Sequence, residues 1–465
     1  MKNQSVLPSS FRDPSGFLFL HNTELFRQIN NSYRDDYDFL KDSGLYEKLI
    51  EKKLLLPHKE VENVEISNDK ECYKIIKPEK INFISYPYEW SFTQFKQAAL
   101  TTLEIQKISF EFGMSLKDAS AFNVQFFKGR PIFIDTLSFE KYNQGQIWKP
   151  YRQFCQHFLA PLALISHKDM RLNQLLRIYI DGIPLDLTSE LLGKGTRFSF
   201  SLLSHIHLHA KSQKHYEDKP IETKEKKLGK NSFVGLIESL YSGVKKMNWK
   251  PEKTEWGEYY SDTNYSETSF NRKKEIISKV IDDVKPNTVW DLGANRGIFS
   301  RIASEKNIET VSFDIDPIAV EKNYLEALEK NEKNILPLIL DLTNPTPGLG
   351  WENIERNSFI DRGPADLVFA LALIHHLAIS NNLPFYKIVS FFEKICKNLI
   401  IEFVPKSDSQ VQRLLATRED IFNQYNVDSF EKEFSRSFTI KNKIELEDSE
   451  RIFFIMKNKN NIGKF

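Results

Sequence analysis

The order of hydrophobic and polar positions divides the C-terminal half of the chain into alternating strands and helices. Apolar residues recur at helical spacing over 298–306, 318–330 and 385–397, and again near 428–434. Short apolar runs rich in β-branched and aromatic residues predict the strands TVWDL, ETVSFD, NILPLIL, ADLVFALAL, KNLIIEFVP, SFTIKNKIEL and RIFFIMK. Such alternation predicts an α/β fold with a doubly wound, mostly parallel sheet, in which ligands bind at the carboxyl ends of the strands.

The N-terminal half follows another pattern, in which hairpins precede helices. One hairpin is predicted in GFLFLHNTELFRQI, which begins at Gly16. A second lies between Asn123 and Asp135, where NVQFF and PIFID flank a KGR turn. The segment that begins at Ile147 is strongly helical in pattern. We therefore expect residues 1–210 to form an α+β domain.

A polar, highly charged segment separates the two patterns. Residues 211–232, KSQKHYEDKPIETKEKKLGKNS, contain almost no apolar side chain and cannot bury enough surface to offset the entropy of ordering. A short amphipathic stretch, FVGLIESLYSGVKKM, follows and predicts a helix. These features predict three parts: a domain at 1–210, a linker at 211–255 and a domain at 256–465.

Composition narrows the class of protein without naming a reaction. Of the 465 residues, 41% are hydrophobic and 27% charged, as in a globular protein, and the formal net charge is +1. This balance does not favour nucleic acid as a partner. Three dispersed cysteines, no signal-like start and no apolar run of about 20 residues predict a cytoplasmic protein without a membrane span.

A glycine-containing loop after the first strand of the C-terminal half predicts a cofactor site. Asp291 is the last residue but one of TVWDL, and Gly293, Asn295 and Gly297 follow before a helical pattern. Glycine permits tight turning and close approach of a ligand to the backbone. Because Asn295 stands where a middle glycine is usual, the GxGxxG fingerprint is absent, which disfavours a nicotinamide or flavin cofactor.

Acidic residues end the next strands as well. Asp314 lies 23 residues beyond Asp291, the position of a carboxylate that accepts hydrogen bonds from ribose hydroxyls. Asp341 ends the third run and is suitably placed for an adenine amino group. The fourth run leads to His375 and His376.

These segments resemble the motifs of class I S-adenosylmethionine-dependent methyltransferases over residues 256–457. DLGANRG (291–297) is similar to the first motif, FDIDP (313–317) to the second, LDLTN (340–344) to the third, and ALIHHL (372–377) to the fourth-strand segment. The resemblance implies a Rossmann-like methyltransferase domain with S-adenosyl-L-methionine as its cofactor. The glycine loop would contact the amino-acid part of that cofactor.

Catalysis of methyl transfer to a poor nucleophile requires a base, and histidine is the residue best suited near neutral pH. His375 and His376 are therefore candidate catalytic residues. The alternative is that one is a buried residue at the start of a helix and the other is solvated. Glu402, at the end of the fifth run, either orients a substrate or merely caps its strand.

The N-terminal half resembles kinase-fold phosphotransferases that act on small molecules. The resemblance rests on the spacing of Asp118, Asn123 and Asp135, and it implies that Asp118 is a catalytic base while Asn123 and Asp135 bind Mg²⁺ with ATP. Leu116 replaces the histidine of that motif, and no glycine follows Asp135. The cation that contacts phosphate would be Arg27, or alternatively Lys74 or Lys77. A degenerate scaffold is the competing interpretation.

Over nearly its full length the chain also resembles bacterial nodulation-related proteins of the NoeA type. The resemblance rests on SYPYEWSF, YRQFCQHFLAPL, ALIHHL and EFVPKSDSQVQRLL. It supports the two-part architecture more than a reaction. Together with the methyltransferase motifs, the leading hypothesis is a methyltransferase with an unidentified acceptor (a small molecule, a glycan or a protein) that the N-terminal domain positions or regulates. The alternatives are a bifunctional phosphotransferase and methyltransferase, or a non-catalytic scaffold that binds the cofactor.

Overall fold

The computed structural model describes residues 4–62, 64, 70–211, 229–250, 267–416, 418–446 and 449–460. The chain divides into two compact units, Met1–Lys250 with Gly348–Arg356, and Pro251–Pro347 with Asn357–Phe465. Of the predicted linker, residues 212–228 and 251–255 lie outside the described residues, and its predicted helix is present at Lys230–Lys246. No helix in the described ranges is long and apolar enough to cross a lipid bilayer.

The first unit begins with a five-stranded antiparallel sheet in the order β1-β2-β3-β5-β4. The predicted hairpin from Gly16 is confirmed as β2 and β3, and the turn residues Asn22 and Thr23 both have positive φ, as a tight two-residue hairpin turn requires. Two helices, α1 and α2, connect β3 to β4. The bounds are β1 Gln4–Val6, β2 Gly16–His21, β3 Glu24–Asn30, α1 Arg34–Asp42, α2 Leu45–Glu51, β4 His58–Val61 and β5 Cys72–Pro78.

The longest helix of the first unit, α3 (Phe92–Glu111), begins at a capping box formed by Ser91 and Gln94. Two small antiparallel pairs follow it, β6 with β9 and β7 with β8, and the second pair confirms the predicted NVQFF–PIFID hairpin. Helices complete the unit. The bounds are β6 Met114–Leu116, β7 Val124–Phe127, β8 Arg130–Phe133, β9 Phe139–Lys141, α4 Tyr151–Phe154, α5 Ala160–His167, α6 Leu175–Ile178, α7 Leu185–Leu192, α8 Phe200–Leu202 and α9 Lys230–Lys246.

The second unit contains a seven-stranded sheet in the order β12-β11-β10-β13-β14-β16-β15. The first five strands in this order are parallel, and β16 and β15 are antiparallel to their neighbours. The bounds are α10 Glu267–Val284, β10 Thr288–Leu292, α11 Ile298–Ser304, β11 Glu309–Asp314, α12 Pro317–Glu329, β12 Ile335–Ile339, β13 Ala365–Ala370, α13 Phe385–Ile395, β14 Cys396–Phe403, α14 Ser409–Leu415, α15 Val427–Ser437, β15 Phe438–Glu445 and β16 Ile452–Asn458.

This sheet confirms the predicted α/β fold class, a doubly wound and mostly parallel Rossmann-like sheet, and the N-terminal unit is α+β. Both faces of the sheet are covered, because Ile277 of α10 and Phe299 of α11 pack on one side while Phe359 packs against Trp290 on the other. The strand order reverses next to β10: the chain continues from β10 to β11 and β12 on one side, and then returns to β13 on the other side of β10. That reversal opens a crevice at the carboxyl ends of the strands, where such sheets bind ligands.

Candidate cofactor site

A cavity of about 260 Å³ lies at the carboxyl ends of β10, β11 and β12. Each of these strands contributes a carboxylate to its wall, either in its last residues or just beyond its end. These residues are Asp291, Asp314 and Asp341. The sequence predicted this juxtaposition, because parallel strands present their carboxyl ends at one edge of the sheet.

The glycine loop forms the floor of the cavity. Gly293 has a φ of +76° and lines the cavity, as does Asn295, which has a φ of +49°. Gly297, with a φ of +73°, is the N-cap residue just before α11 and is not among the cavity-lining residues. A Cβ atom on Gly297 would lie 2.5 Å from Nδ2 of Asn323, so this glycine is required by packing between helices.

Asp291 and Asp314 are almost fully buried, and their surroundings shift the pKa of each carboxyl. The hydroxyl of Ser300 donates to Asp291 Oδ2 at 2.6 Å. Asp314 accepts the backbone N–H of Asn295 at 2.7 Å and that of Asp316 at 2.8 Å. These hydrogen bonds lower the pKa of each carboxyl, but the effect of burial is larger and raises the pKa of Asp291 and of Asp314 to about 6 in each case.

The far end of the cavity combines one carboxylate with aliphatic side chains. Asp341 accepts both the N–H and the hydroxyl of Thr343, at 2.8 and 2.6 Å. Leu340, Leu342 and Ile315 line the same wall, and Ile315 is 58% exposed. This end therefore offers an apolar surface for a flat ring, with an acceptor beside it.

The two adjacent histidines have different positions. His376 lines the cavity, whereas the buried His375 is not among its lining residues. Burial lowers the pKa of His376 to about 4, so its imidazole is neutral at pH 7 and weakly basic. His376 begins a π-helical turn, His376–Ser380, and Arg418 donates to the carbonyl of Ile379 at 2.6 Å.

Glu402 lies beneath the cavity and is fully buried rather than exposed to it. Lys273 Nζ donates to its Oε2 at 2.7 Å, and the backbone N–H of Ala372 donates to the same oxygen at 2.8 Å. Arg451 Nη1 lies 3.5 Å from Oε1. Lys273 itself lines the cavity and was missed at the level of sequence. The available signal was its spacing, four residues before Ile277 and seven before Val280 on the apolar face of α10.

The three N-terminal candidates meet in the first unit. Asp118 accepts hydrogen bonds from the backbone N–H of Ser120 at 2.9 Å and from Gln153 Nε2 at 2.8 Å, while Asn123 Nδ2 donates to Ser138 Oγ at 3.3 Å. Burial and the nearby charge of Asp135 raise the pKa of Asp118. Arg27 Nη1 lies 2.5 Å from Asp135 Oδ1, and its Nη2 lies 2.9 Å from Asp13. Burial alone would raise the pKa of Asp135, but the charge of Arg27 and the hydrogen bond from Ser138 outweigh it and lower that pKa.

Arg27 is thus the cation at the N-terminal acidic centre, whereas Lys74 pairs with Glu60 and Lys77 with Glu24. The described residues contain no group of three or more histidine, cysteine, aspartate or glutamate side chains arranged to bind a metal ion. Guanidinium already neutralises Asp135, the carboxylate that the resemblance to kinases assigns to Mg²⁺.

Comparisons with known proteins give one strong relative. The nodulation protein NoeA of Rhizobium meliloti (strain 1021) is 34% identical over 452 residues, which cover 96% of this chain and 94% of that protein. No model of a known protein family matches the chain.

Solved structures give weaker likenesses. The crystal structure of WbdD has 15% identity and a TM-score of 0.30, covering 43% of this chain and 42% of that one. Magnesium protoporphyrin IX methyltransferase from Synechocystis PCC 6803, with bound SAH, has 15% identity and a TM-score of 0.32, covering 44% and 93%. An S-adenosylmethionine-dependent methyltransferase from Aquifex aeolicus has 14% identity and a TM-score of 0.30, covering 44% and 98%. At these TM-scores the likenesses carry no argument about the chain.

Proposed function

The chain belongs to the family of the nodulation protein NoeA, and we propose that it is a methyltransferase that uses S-adenosylmethionine to methylate an acceptor. One observation carries the proposal. Asp291, Asp314 and Asp341, at the ends of three neighbouring parallel strands, line one cavity together with Gly293. This arrangement supports a nucleoside-containing cofactor with its amino-acid end at the glycine loop.

The residues present fit that cofactor from end to end. Gly293 leaves space at the loop, because a Cβ there would meet only Leu373 within 4 Å, at 3.4 Å at the nearest. Asp314 is positioned to accept hydrogen bonds from the ribose hydroxyls. Asp341 is suited to an adenine amino group, and Ile315 and Leu342 to the faces of the ring.

When bound, the cofactor supplies a methyl group on a sulfonium, which is transferred by in-line displacement. The chain would contribute mainly positioning and proton transfer. His376 is the candidate base, since of the two adjacent histidines it is the one on the cavity wall, where it would take a proton from the acceptor's nucleophilic atom. Leu371, Leu373 and Leu377 also line the cavity and give that part of it an apolar surface.

The acceptor side of the cavity is neutral and polar, with Ser380 and Asn381 close to His376 in sequence and both on the cavity wall. We infer an acceptor among small molecules, glycans or proteins, and we do not favour nucleic acid because the net charge is only +1. In this proposal the N-terminal unit positions or regulates the acceptor. The name of the relative concerns nodulation and specifies no acceptor.

Transfer of a labelled methyl group tests the proposal. The full chain would be incubated with S-adenosylmethionine labelled in its methyl group and with bacterial extract fractionated into small molecules, glycans and proteins. We expect label in one fraction and a loss of about 10²- to 10⁴-fold in His376→Ala, the usual contribution of a general base. His167→Ala, at an exposed histidine, is the matched control and should retain activity. Cofactor binding without transfer to any fraction would favour the non-catalytic scaffold.

A second candidate function concerns the first unit. Asp135 lies close enough to Asp118 to raise its pKa, and Asn123 and Asp135 share Ser138 as a hydrogen-bond partner. This cluster supports phosphotransfer from ATP with Mg²⁺, and hence a bifunctional protein. The test is Mg²⁺-dependent ATP consumption that Asp135→Ala abolishes. The ion pair of Arg27 with Asp135 competes with Mg²⁺ for that carboxylate. Absence of ATP binding by the wild type would remove this candidate.

A further inference from the structure

The segment between α7 and α8 presents two aromatic rings to solvent. Phe198 is 95% exposed and Phe200 is 76% exposed, more than any other large hydrophobic side chain in the described part of the chain. Phenylalanine is among the residues most often buried, and an exposed ring forfeits the free energy that burial supplies. Two such rings, two residues apart, indicate a surface that meets an apolar environment.

The backbone of this segment is fixed by the residues beneath it. Thr196 is buried, and its hydroxyl donates to the carbonyl of Gly193 at 2.9 Å. The imidazole of His207 links that hydroxyl to Ser189, with 2.9 Å from Nε2 to Thr196 Oγ1 and 2.7 Å from Nδ1 to Ser189 Oγ. The two rings are therefore carried by a segment that is already held in place, and binding through them costs little further ordering.

Cations surround the two rings. Lys194 and Arg197 are exposed in the same segment, and a Cβ built on Gly193 would lie 3.9 Å from the Nζ of Lys168. Within the described ranges none of these three cations forms an ion pair, and the stretch 190–200 contains a single acidic residue, Glu190. The surface is thus positive, although the whole chain has a formal net charge of only +1.

A second cavity lies beside Phe200. Its volume is about 470 Å³, and Phe200, Lys246 of α9 and the hydroxyl-bearing Ser199 and Ser242 are among its lining residues. No acidic side chain is among the described residues that line it. An ammonium and hydroxyl groups next to an aromatic ring suit an anionic headgroup whose chain continues into an apolar phase.

We propose that the surface formed by Lys168, Lys194, Arg197, Phe198 and Phe200 binds the face of a lipid bilayer that contains anionic lipids. The two rings enter the boundary between headgroups and acyl chains, and the cations contact the lipid phosphates. The first unit would then lie on the bilayer without spanning it. This inference goes beyond the proposed function and does not depend on it.

The exposure and the charge of the surface favour a bilayer over other partners. An exposure of 95% leaves both faces and the rim of the Phe198 ring open. A nucleobase stacks on one face of a ring, whereas a bilayer surrounds an inserted ring on every side. In a symmetric dimer the surface would face its own copy, so that the cations of Lys194 and Arg197 would oppose like charges.

Co-sedimentation of the full chain with lipid vesicles tests the inference. One set of vesicles contains phosphatidylcholine alone, and the other contains phosphatidylcholine with an equal share of phosphatidylglycerol. We expect binding to the second set only, weakened when NaCl rises from about 0.1 M to about 1 M, because the screening length falls from about 10 to about 3 Å. Phe198→Ala combined with Phe200→Ala should weaken binding by about 10- to 100-fold, and Arg197→Gln by about fivefold.

The matched control is Tyr386→Ala, which removes a 55% exposed ring beside Lys387 on α13 and should leave vesicle binding unchanged. Because Phe198 and Phe200 are so exposed, their removal is not expected to unfold the first unit. The inference is wrong if the wild type does not sediment with anionic vesicles, or if the double alanine variant sediments as well as the wild type. It is equally wrong if these rings are needed only for binding a single-stranded oligonucleotide or for dimer formation in analytical ultracentrifugation.

Discussion

Replacement of Glu402 by glutamine is expected to destabilise the second unit strongly. Glu402 and Lys273 are 0% and 2% exposed, and the substitution leaves the ammonium of Lys273 buried without its carboxylate partner. Breaking one partner of a buried ion pair costs roughly 3–5 kcal/mol. We expect about 3 kcal/mol, the lower end, because a glutamine oxygen can still accept the N–H of Ala372 and Arg451 keeps Asp408.

The double variant identifies the cause. In Glu402→Gln with Lys273→Met no buried ammonium remains at this site, and methionine occupies the volume of the lysine stem. The double variant should therefore be more stable than Glu402→Gln alone by about 1–2 kcal/mol, a strongly non-additive cycle.

Hydrogen exchange is the suitable assay, because two units need not unfold in one transition. Peptides from Cys396–Phe403 report the opening free energy of the central sheet, and those from Phe92–Glu111 serve as the internal control in the first unit. An opening free energy for Glu402→Gln within about 0.5 kcal/mol of the wild type would refute the reasoning, since that is the spread of ordinary surface substitutions. Additive effects in the double variant would refute it equally.

Three further predictions concern other residues. Because burial raises the folded-state pKa of Asp291 from 3.8 to about 6, its stabilising effect is complete below pH 4 and lost as the pH rises through 6. Exchange-derived stability of Asp291→Asn relative to the wild type should therefore improve by on the order of 2–3 kcal/mol between pH 4 and 7, and a flat difference would contradict this. Gly297→Ala should lose at least about 1 kcal/mol in denaturation, whereas Gly235→Ala, exposed in α9, should gain up to about 1 kcal/mol; equal effects would be inconsistent. Since Arg27 lowers the pKa of Asp135, that carboxylate stabilises the first unit above pH 4, and the stabilisation is lost as the pH falls. The part of the pH dependence of stability that comes from this carboxylate should therefore be absent from Asp135→Asn when acid unfolding is followed by circular dichroism.

Local patterns predicted most of the second unit. Asp316 caps the helix that begins at Pro317, as its position before a proline indicated, and its carboxylate accepts the N–H of Ile318. The acids at strand ends were recognisable because apolar runs of five or six residues stop at each of them. Parallel strands then bring those ends together without further information.

Features that depend on tertiary contacts were not accessible in this way. Lys273 and Glu402 are separated by 129 residues, and no local pattern pairs them. The sequence also could not distinguish His375 from His376, because a π-helical turn decides which imidazole faces the cavity. Residues 348–356 lie between two strands of the second unit yet belong to the first, and composition alone contains no signal for that.

In the N-terminal unit the hairpins and the spacing of the acidic residues were predictable, but the neutralisation of Asp135 was not. Arg27 lies 108 residues before Asp135, on β3, and Lys74 and Lys77 were the alternatives to it at the level of sequence. Their ion pairs decide the question, since Arg27 pairs with Asp135, whereas Lys74 pairs with Glu60 and Lys77 with Glu24.

Equilibrium dialysis with radiolabelled S-adenosylmethionine tests the central claim most directly. For the wild-type chain we predict saturable binding of one molecule per chain. Asp314→Ala should lose that binding, because its carboxylate is assigned to the ribose, while His167→Ala should retain it. No saturable binding by the folded wild type, or undiminished binding by Asp314→Ala, would contradict the account.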